Sequence, residues 1–272
     1  MDASQTRDIW ASGDAYEPYV GRWSRRVARD FVAWLALPPG GRWLDVGCGT
    51  GALVQTILND AVPANVEGVD ASAGYVAYAR AQVTDARATF SVGDAQALAM
   101  DAGSFEAAVS GLVLNFVPEP ARMVAEMARV VRPGGTVALY VWDYAGEMQL
   151  MRHFWDAAVG LDPSAEEKDE GVRFPICKPE PLAHLFAGIG LRDVRTRAID
   201  VPTVFRDFDD YWTPFLGGQG PAPGYAMSLG EDRRAALRKR IRSTLPIAAD
   251  GSVALIARAW AVGGVWGGAE SR

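Results

Sequence analysis

Three alternate glycines directly behind a short apolar strand constrain this chain more than any other feature. Leu44-Asp45-Val46-Gly47-Cys48-Gly49-Thr50-Gly51 ends the strand-like stretch 42–46 and opens the helical pattern 52–58. Glycine accepts positive φ and lets the backbone approach a ligand closely, so this strand–loop–helix reads as a nucleotide-type loop. An ordinary tight turn does not need three such positions behind a strand-terminal acid.

The pattern then repeats. Apolar runs at 66–69, 89–92, 105–110 and 136–142 read as strands. The stretches 71–83, with Ser72 as its cap, and 120–131 read as helices. Arg132-Pro133-Gly134-Gly135 is expected to end the latter. Regular alternation predicts an α/β fold whose mostly parallel sheet is covered by helices on both faces. Right-handed crossovers bring the loops after the first, second and fourth strands to one edge, where such sheets bind ligands.

Flanking this repeat, residues 16–37 read as a helix with an aromatic lead-in. Val20, Trp23, Val27, Phe31, Trp34 and Leu35 share one face, and Pro38-Pro39-Gly40-Gly41 stops it. Beyond residue 142 the order loosens. A helical excursion with a charged loop (165–171) spans 143–175, followed by a helix at 179–187 and a strand at 191–201. An insertion at 203–246 carries a Gly/Pro-rich middle (217–224) and a charged helix (231–243), and 252–262 returns as a seventh strand. Two long strands separated by an insertion predict an antiparallel hairpin at the sheet edge. The expectation is one domain over 1–272, with 143–177 and 203–246 as insertions capping the substrate side.

Chemistry concentrates where strands end. Gly47-x-Gly49-x-x-Ala52 satisfies a dinucleotide pattern, and Asp70 follows at about the distance of a ribose-binding acid. The glycines alone therefore leave NAD and S-adenosylmethionine equally open. Asp45 separates them: a carboxylate there opposes a diphosphate but accepts from the ammonium of a methionine moiety. Asp70 suits ribose hydroxyls or a helix cap. Asp94 suits an adenine amino group or its own turn, with the Ala95 N–H facing a ring nitrogen.

With these residues in place, LDVGCGTG, VDAS, GDA, LVLNFVPEP and RPGG follow the order and spacing of Rossmann-like class I methyltransferases. Residues 16–142 resemble the methyltransferase type 11 family, related to the ubiquinone/menaquinone-biosynthesis methyltransferases. The resemblance implies S-adenosylmethionine as cofactor and S-adenosylhomocysteine as product. Asp45, Gly47 and Gly49 would surround the methionine end, Asp70 with Ala71 the ribose, and Asp94 with Ala95 the adenine. Gly111 and Leu112 would flank the sulfonium. Residues 16–37 would form a lid, with Tyr16 and Trp23 as cofactor contacts. Two departures stand out: Asn115-Phe116 replaces a histidine common in relatives, and the fourth strand lacks the N/D-P-P-Y-type motif of nucleic-acid amino-methylating enzymes.

Charge and composition narrow the partners. A net charge of −6, with only Arg238–Arg242 as a basic run, argues against a nucleic-acid substrate, since phosphate binding needs clustered cations. That run is read as a solvated helix face. The two cysteines and two histidines lie apart, so no disulfide framework and no metal are expected. His153 is read as structural, and no catalytic residue is assigned. No apolar run approaches the roughly 20 residues of a membrane span, and the start MDASQTRDIW lacks a signal-peptide pattern, so a cytoplasmic protein is expected. The expected activity is methyl transfer to an O, N or C nucleophile of a small molecule. An NAD(P)-dependent oxidoreductase and a non-catalytic S-adenosylmethionine-binding regulator are the alternatives. Oligomeric state is not legible.

Overall fold

Helix α1 (Arg22–Leu35) forms because its apolar residues recur every three or four positions, and Trp23, Val27, Phe31 and Leu35 are all buried. It is the first element of a computed structural model that describes residues 20–217 and 220–268. Tyr16 and the rest of the lead-in before Val20 lie outside the described residues.

Among the described residues the chain forms two compact units. The sheet unit holds Trp23–Asp143, Pro175–Val201 and residues 258–268; the helix-rich unit holds residues 20–22, Tyr144–Phe174 and the described part of Pro202–Ala257.

In the sheet unit, β1 (Arg42–Val46) leads through the glycine loop into α2 (Ala52–Asp60). Then come β2 (Asn65–Asp70), α3 (Ala73–Gln82), β3 (Ala88–Val92), β4 (Phe105–Gly111), α4 (Pro120–Val130) and β5 (Val131–Trp142). After α7 (Pro179–Gly188), strands β6 (Leu191–Phe205) and β7 (Val253–Trp266) complete a seven-stranded sheet of order β3-β2-β1-β4-β5-β7-β6. The first five strands are parallel, and β7 runs antiparallel to β5 with Thr136 opposite Val265. The predicted α/β sheet with its antiparallel edge is therefore present. From β1 the chain steps outward through β2 to β3, then crosses to β4 on the other side and steps on to β5. Right-handed crossovers in opposite directions place α3 and α4 on opposite faces. They also make the β1/β4 junction the topological switch point, the place where sheets of this kind bind ligands.

The central parallel strands β1, β4 and β5 are buried on both faces, whereas the edge strand β3 is largely exposed. Trp43, Leu44, Val46, Val109, Val137 and Leu139 are at most 1% exposed, as a sheet covered by helices requires. Phe31 of α1 packs its ring 4.8 Å from that of Tyr140 on β5.

Two local expectations needed correction. β5 begins at Val131, not Thr136, because its register jumps from Phe105↔Val131 to Ala107↔Thr136. Arg132-Pro133-Gly134-Gly135 is thus a bulge inside the strand, the kind of interruption that admits proline. The charged loop 165–171 instead lies mostly within a 3-10 turn (Pro163–Lys168) and the one-turn helix α6 (Glu170–Arg173), whose leading residues Asp162 and Asp169 accept from the Ser164 and Gly171 N–H groups. Inside the Gly/Pro-rich middle, Pro221 begins helix α9 (Pro221–Ser228), since proline in a first turn forfeits no helical bond.

The helix-rich unit is built on aromatic packing around α5 (Gln149–Leu161). Phe154 stacks on Phe215 with centroids 4.6 Å apart, and the Tyr211 hydroxyl, leading from α8 (Phe208–Trp212), donates to the Leu150 carbonyl at 2.8 Å. The Trp212–Phe215 cluster is core of this unit. Two polar contacts tie α5 to the residues around α6: the part-buried Arg152 pairs with Asp169 at 2.5 Å, and the buried Trp155 indole N–H donates to Glu170. On α10 (Glu231–Thr244), Leu237 and Ile241 face inward, while Arg238 and Arg242 lie 5.1 Å from the Phe208 ring centroid. Lys239 and Arg240 are exposed, so this stretch is the solvated face its sequence implied.

Candidate functional site

The glycine loop owes its shape to three left-handed residues: Gly47 at φ 77°, Gly49 at φ 51° and Gly51 at φ 84°. They differ in what surrounds them. A Cβ at Gly47 would come within 2.5 Å of Val113 Cγ2, so the turn after β4 presses directly on the loop. A Cβ at Gly49 would meet nothing within 4 Å, so this part of the loop faces open space.

Most of the loop's amides are already engaged. Gly47 and Cys48 both donate to the Val69 carbonyl (2.7 and 3.0 Å), Gly49 donates to Asp70 Oδ2 (2.9 Å), and Gly51 donates to the Cys48 carbonyl (2.8 Å). A diphosphate cradle needs such N–H groups turned outward. This loop turns them inward and sets two carboxylates nearby.

Asp45, on β1, is 1% exposed, and neither carboxylate oxygen has a hydrogen-bond partner. Burial, reinforced by the charge of Asp70, pushes its pKa up to about 8. A buried acid without a donor is costly in isolation and becomes favourable once a cation meets it. The same burial and the two neighbouring carboxylates push the Cys48 thiol up, so it is no nucleophile.

Asp70 closes β2 and holds the edge together. Its Oδ2 accepts from Gly49 and its Oδ1 from the Ser72 N–H at 2.8 Å, while Gly93 donates to its carbonyl at 3.0 Å. Ser72, not Asp70, caps α3, accepting from the Tyr75 N–H at 3.3 Å. Ala71 is exposed beside it. Asp94 follows β3 on the same edge, also exposed, and its Oδ1 accepts from the Gln96 N–H at 2.8 Å. That bond, with a second from the Gln96 side chain and the charge of Arg122, lowers its pKa. Asp94 therefore does stabilise its own turn. Ala95 lies half-buried next to it.

At the end of β4, Gly111 leaves room for the ring above it: a Cβ there would sit 2.5 Å from the Tyr140 hydroxyl. Leu112 adopts φ 64°, unusual for a residue with a side chain, and is pinned by its N–H to the Tyr140 carbonyl at 2.8 Å. Ser110 ties this strand to β1 through the Val46 carbonyl at 2.6 Å. Asp45, Gly47, Gly49, Asp70 and Gly111 thus gather at one end of the sheet, with Asp94 extending the row. Trp23 is buried on α1 beneath Arg26, whose guanidinium lies 5.5 Å from its ring centroid.

One residue that sequence reasoning noted only as a departure gains weight here. Asn115, in the 3-10 turn Leu114–Phe116, is 9% exposed, and neither Oδ1 nor Nδ2 has a partner. Nothing in its type or spacing marks it; only burial does.

Comparisons with known proteins place the chain in a family. Residues 44–139 match the family model described as a methyltransferase domain. The chain is 30% identical over 187 residues to 2-methyl-6-phytyl-1,4-hydroquinone methyltransferase of Synechocystis sp., covering 68% of this chain and 57% of that protein. It is 33% identical over 182 residues to demethylmenaquinone methyltransferase of Roseiflexus castenholzii, covering 62% of this chain and 75% of that one. Among solved structures, a Haemonchus contortus phosphoethanolamine N-methyltransferase in complex with S-adenosyl-L-methionine shares the fold. Its TM-score is 0.59 at 18% identity, covering 93% of this chain and 56% of that one.

Proposed function

This chain belongs to the S-adenosylmethionine-dependent methyltransferases, and from that premise we propose that it methylates a small hydroxylated aromatic acceptor. The two relatives just described are named for 2-methyl-6-phytyl-1,4-hydroquinone and demethylmenaquinone, which supports that class. The net charge of −6 disfavours nucleic acid as the acceptor. No described helix is long and apolar enough to cross a membrane.

A single observation carries the cofactor assignment: the buried, unpartnered Asp45 carboxylate beside a loop that opens outward at Gly49. This pair fits the ammonium and chain of a methionine moiety. We assign Asp45, Gly47 and Gly49 to that end, Asp70 with Ala71 to the ribose, and Asp94 with Ala95 to the adenine. Each Asp70 oxygen accepts one backbone N–H and retains a lone pair for a hydroxyl. Gly111 and Leu112 are assigned to the region of the sulfonium, and residues 16–37, with Tyr16 and Trp23, to a lid that keeps water out. Segments 143–177 and 203–246 are assigned to acceptor choice within a single domain over 1–272.

When bound, the cofactor supplies a methyl group on a sulfonium, already a good leaving group for in-line displacement. The chain's task is alignment and exclusion of water. Asp45 would hold one end of the ligand and Asp70 its middle, and the β4 terminus at Gly111 and Leu112 would border the sulfonium. A general base is required only for an acceptor that arrives protonated. Asn115 is not one, because an amide takes no proton near neutral pH.

Calorimetric titration tests the reading. S-adenosylmethionine and S-adenosylhomocysteine are expected to bind and NADH not to bind. NADH binding without S-adenosylmethionine binding refutes the assignment. Turnover of S-adenosylmethionine over a panel of hydroquinones and phenols separates an enzyme from a regulator that binds without reacting.

A further inference from the structure

Asp45 and Asn115 share one property: both terminal atoms of each side chain are shut off from water and have no hydrogen-bond partner. They stand at the ends of paired strands, since Asp45 lies opposite Val109 in the β1–β4 register and Asn115 follows four residues after the end of β4. The turn that carries Asn115 touches the glycine loop through Val113 over Gly47. Buried polar groups are almost always satisfied, so two such residues on adjoining strand ends call for a ligand that satisfies both.

The two side chains have different chemistry. Asp45 only accepts hydrogen bonds when ionised, whereas the Asn115 amide also donates. The amino-acid end of the proposed cofactor carries an ammonium and a carboxylate. That carboxylate needs a donor in a neighbourhood already occupied by Asp45 and Asp70. The N–H groups of Gly47, Cys48, Gly49 and Gly51 are directed at protein acceptors. The remaining competitors are the Thr50 amide and the first amides of α2, where Thr50 and Ala52 are only half-buried and water can serve them. Water cannot serve the Asn115 amide.

We propose that Asn115 is a cofactor-binding residue whose Nδ2 donates to the carboxylate of the methionine moiety, completing with Asp45 a clamp for the zwitterion. This rests on the cofactor assignment above. Asn115 thereby reads the amino-acid end of the ligand and not its nucleoside.

The test compares two ligands that differ only in that end: S-adenosylhomocysteine, and 5′-methylthioadenosine, which lacks the amino acid. Asn115→Ala is expected to weaken S-adenosylhomocysteine binding about tenfold or more, as expected for loss of a hydrogen bond to a charged group. Binding of 5′-methylthioadenosine is expected to stay unchanged. Asn115→Asp sets a carboxylate against a carboxylate and is expected to weaken the former further, again sparing the latter. Ligand-free Asn115→Ala is expected to melt no lower than the parent, because it removes two unsatisfied buried atoms. Equal weakening for both ligands gives Asn115 a purely structural role and overturns the proposal, and so does undiminished S-adenosylhomocysteine binding, which hands the carboxylate to α2. If the parent protein binds neither ligand, the cofactor assignment itself falls.

Discussion

Replacing Asp45 with asparagine is expected to make the ligand-free protein more stable at neutral pH while crippling cofactor binding. The native carboxyl holds its proton up to about pH 8, whereas an unfolded aspartate ionises near 3.8. Between those values the folded state binds one more proton than the unfolded state, so stability falls as pH rises across this window. Each pH unit is worth about 1.4 kcal/mol, and from pH 5 to pH 7 the contribution declines by about 3 kcal/mol. Asparagine does not titrate. The difference in unfolding free energy between parent and Asp45→Asn is therefore expected to move by that amount in the variant's favour, while groups common to both cancel. Urea denaturation of both proteins at pH 5, 6, 7 and 8, without ligand, measures it. Binding supplies the second half. If the ligand selects the ionised carboxylate, association below pH 8 releases a proton, and S-adenosylhomocysteine affinity in the parent tightens up to about tenfold per pH unit. In the variant this pH dependence is lost and affinity drops by roughly ten- to a hundredfold, as for a hydrogen bond to a charged group. Parallel stability curves for parent and variant over pH 5–8 refute the claim that Asp45 is buried without a partner.

Two further predictions follow from the same coordinates. Gly47→Ala combines a positive φ with a Cβ 2.5 Å from Val113, so a loss of about 2–4 kcal/mol in unfolding free energy is expected along with loss of S-adenosylhomocysteine binding; a variant as stable as the parent contradicts the packing described here. Trp155→Phe removes the indole donor from Glu170, whose pKa burial already raises to about 7. A raised carboxyl contributes stability at low pH that is lost as pH climbs through its folded value, so the variant is expected to be hurt more at pH 8 than at pH 5 in thermal melts; equal losses at both values argue against that contact.

Much of the sheet unit was legible because its signals are local. Strand β1 lies where an apolar run meets glycines, Ser72 caps α3 as a short polar side chain before a helix should, and Asp45, Asp70 and Asp94 sit at strand ends that periodicity locates. The longer-range features were not. The bulge at Arg132–Gly135 belongs to β5 only because β4 pairs on both sides of it. Within the Gly/Pro-rich middle, Pro221 starts a helix because its fixed φ suits a first turn once the following residues are buried.

Order of elements, the glycine bend and the acids at strand tips are properties of neighbouring residues, and the chain's own sequence determined them together with the family. Which buried groups lack partners is not a local property. Asp45 loses water only when the folded chain closes over its strand, and Asn115 is an ordinary turn residue until packing seals both ends of its amide. Desolvation is set by everything that surrounds a side chain, so only the tertiary structure decided where this protein must be completed by a ligand.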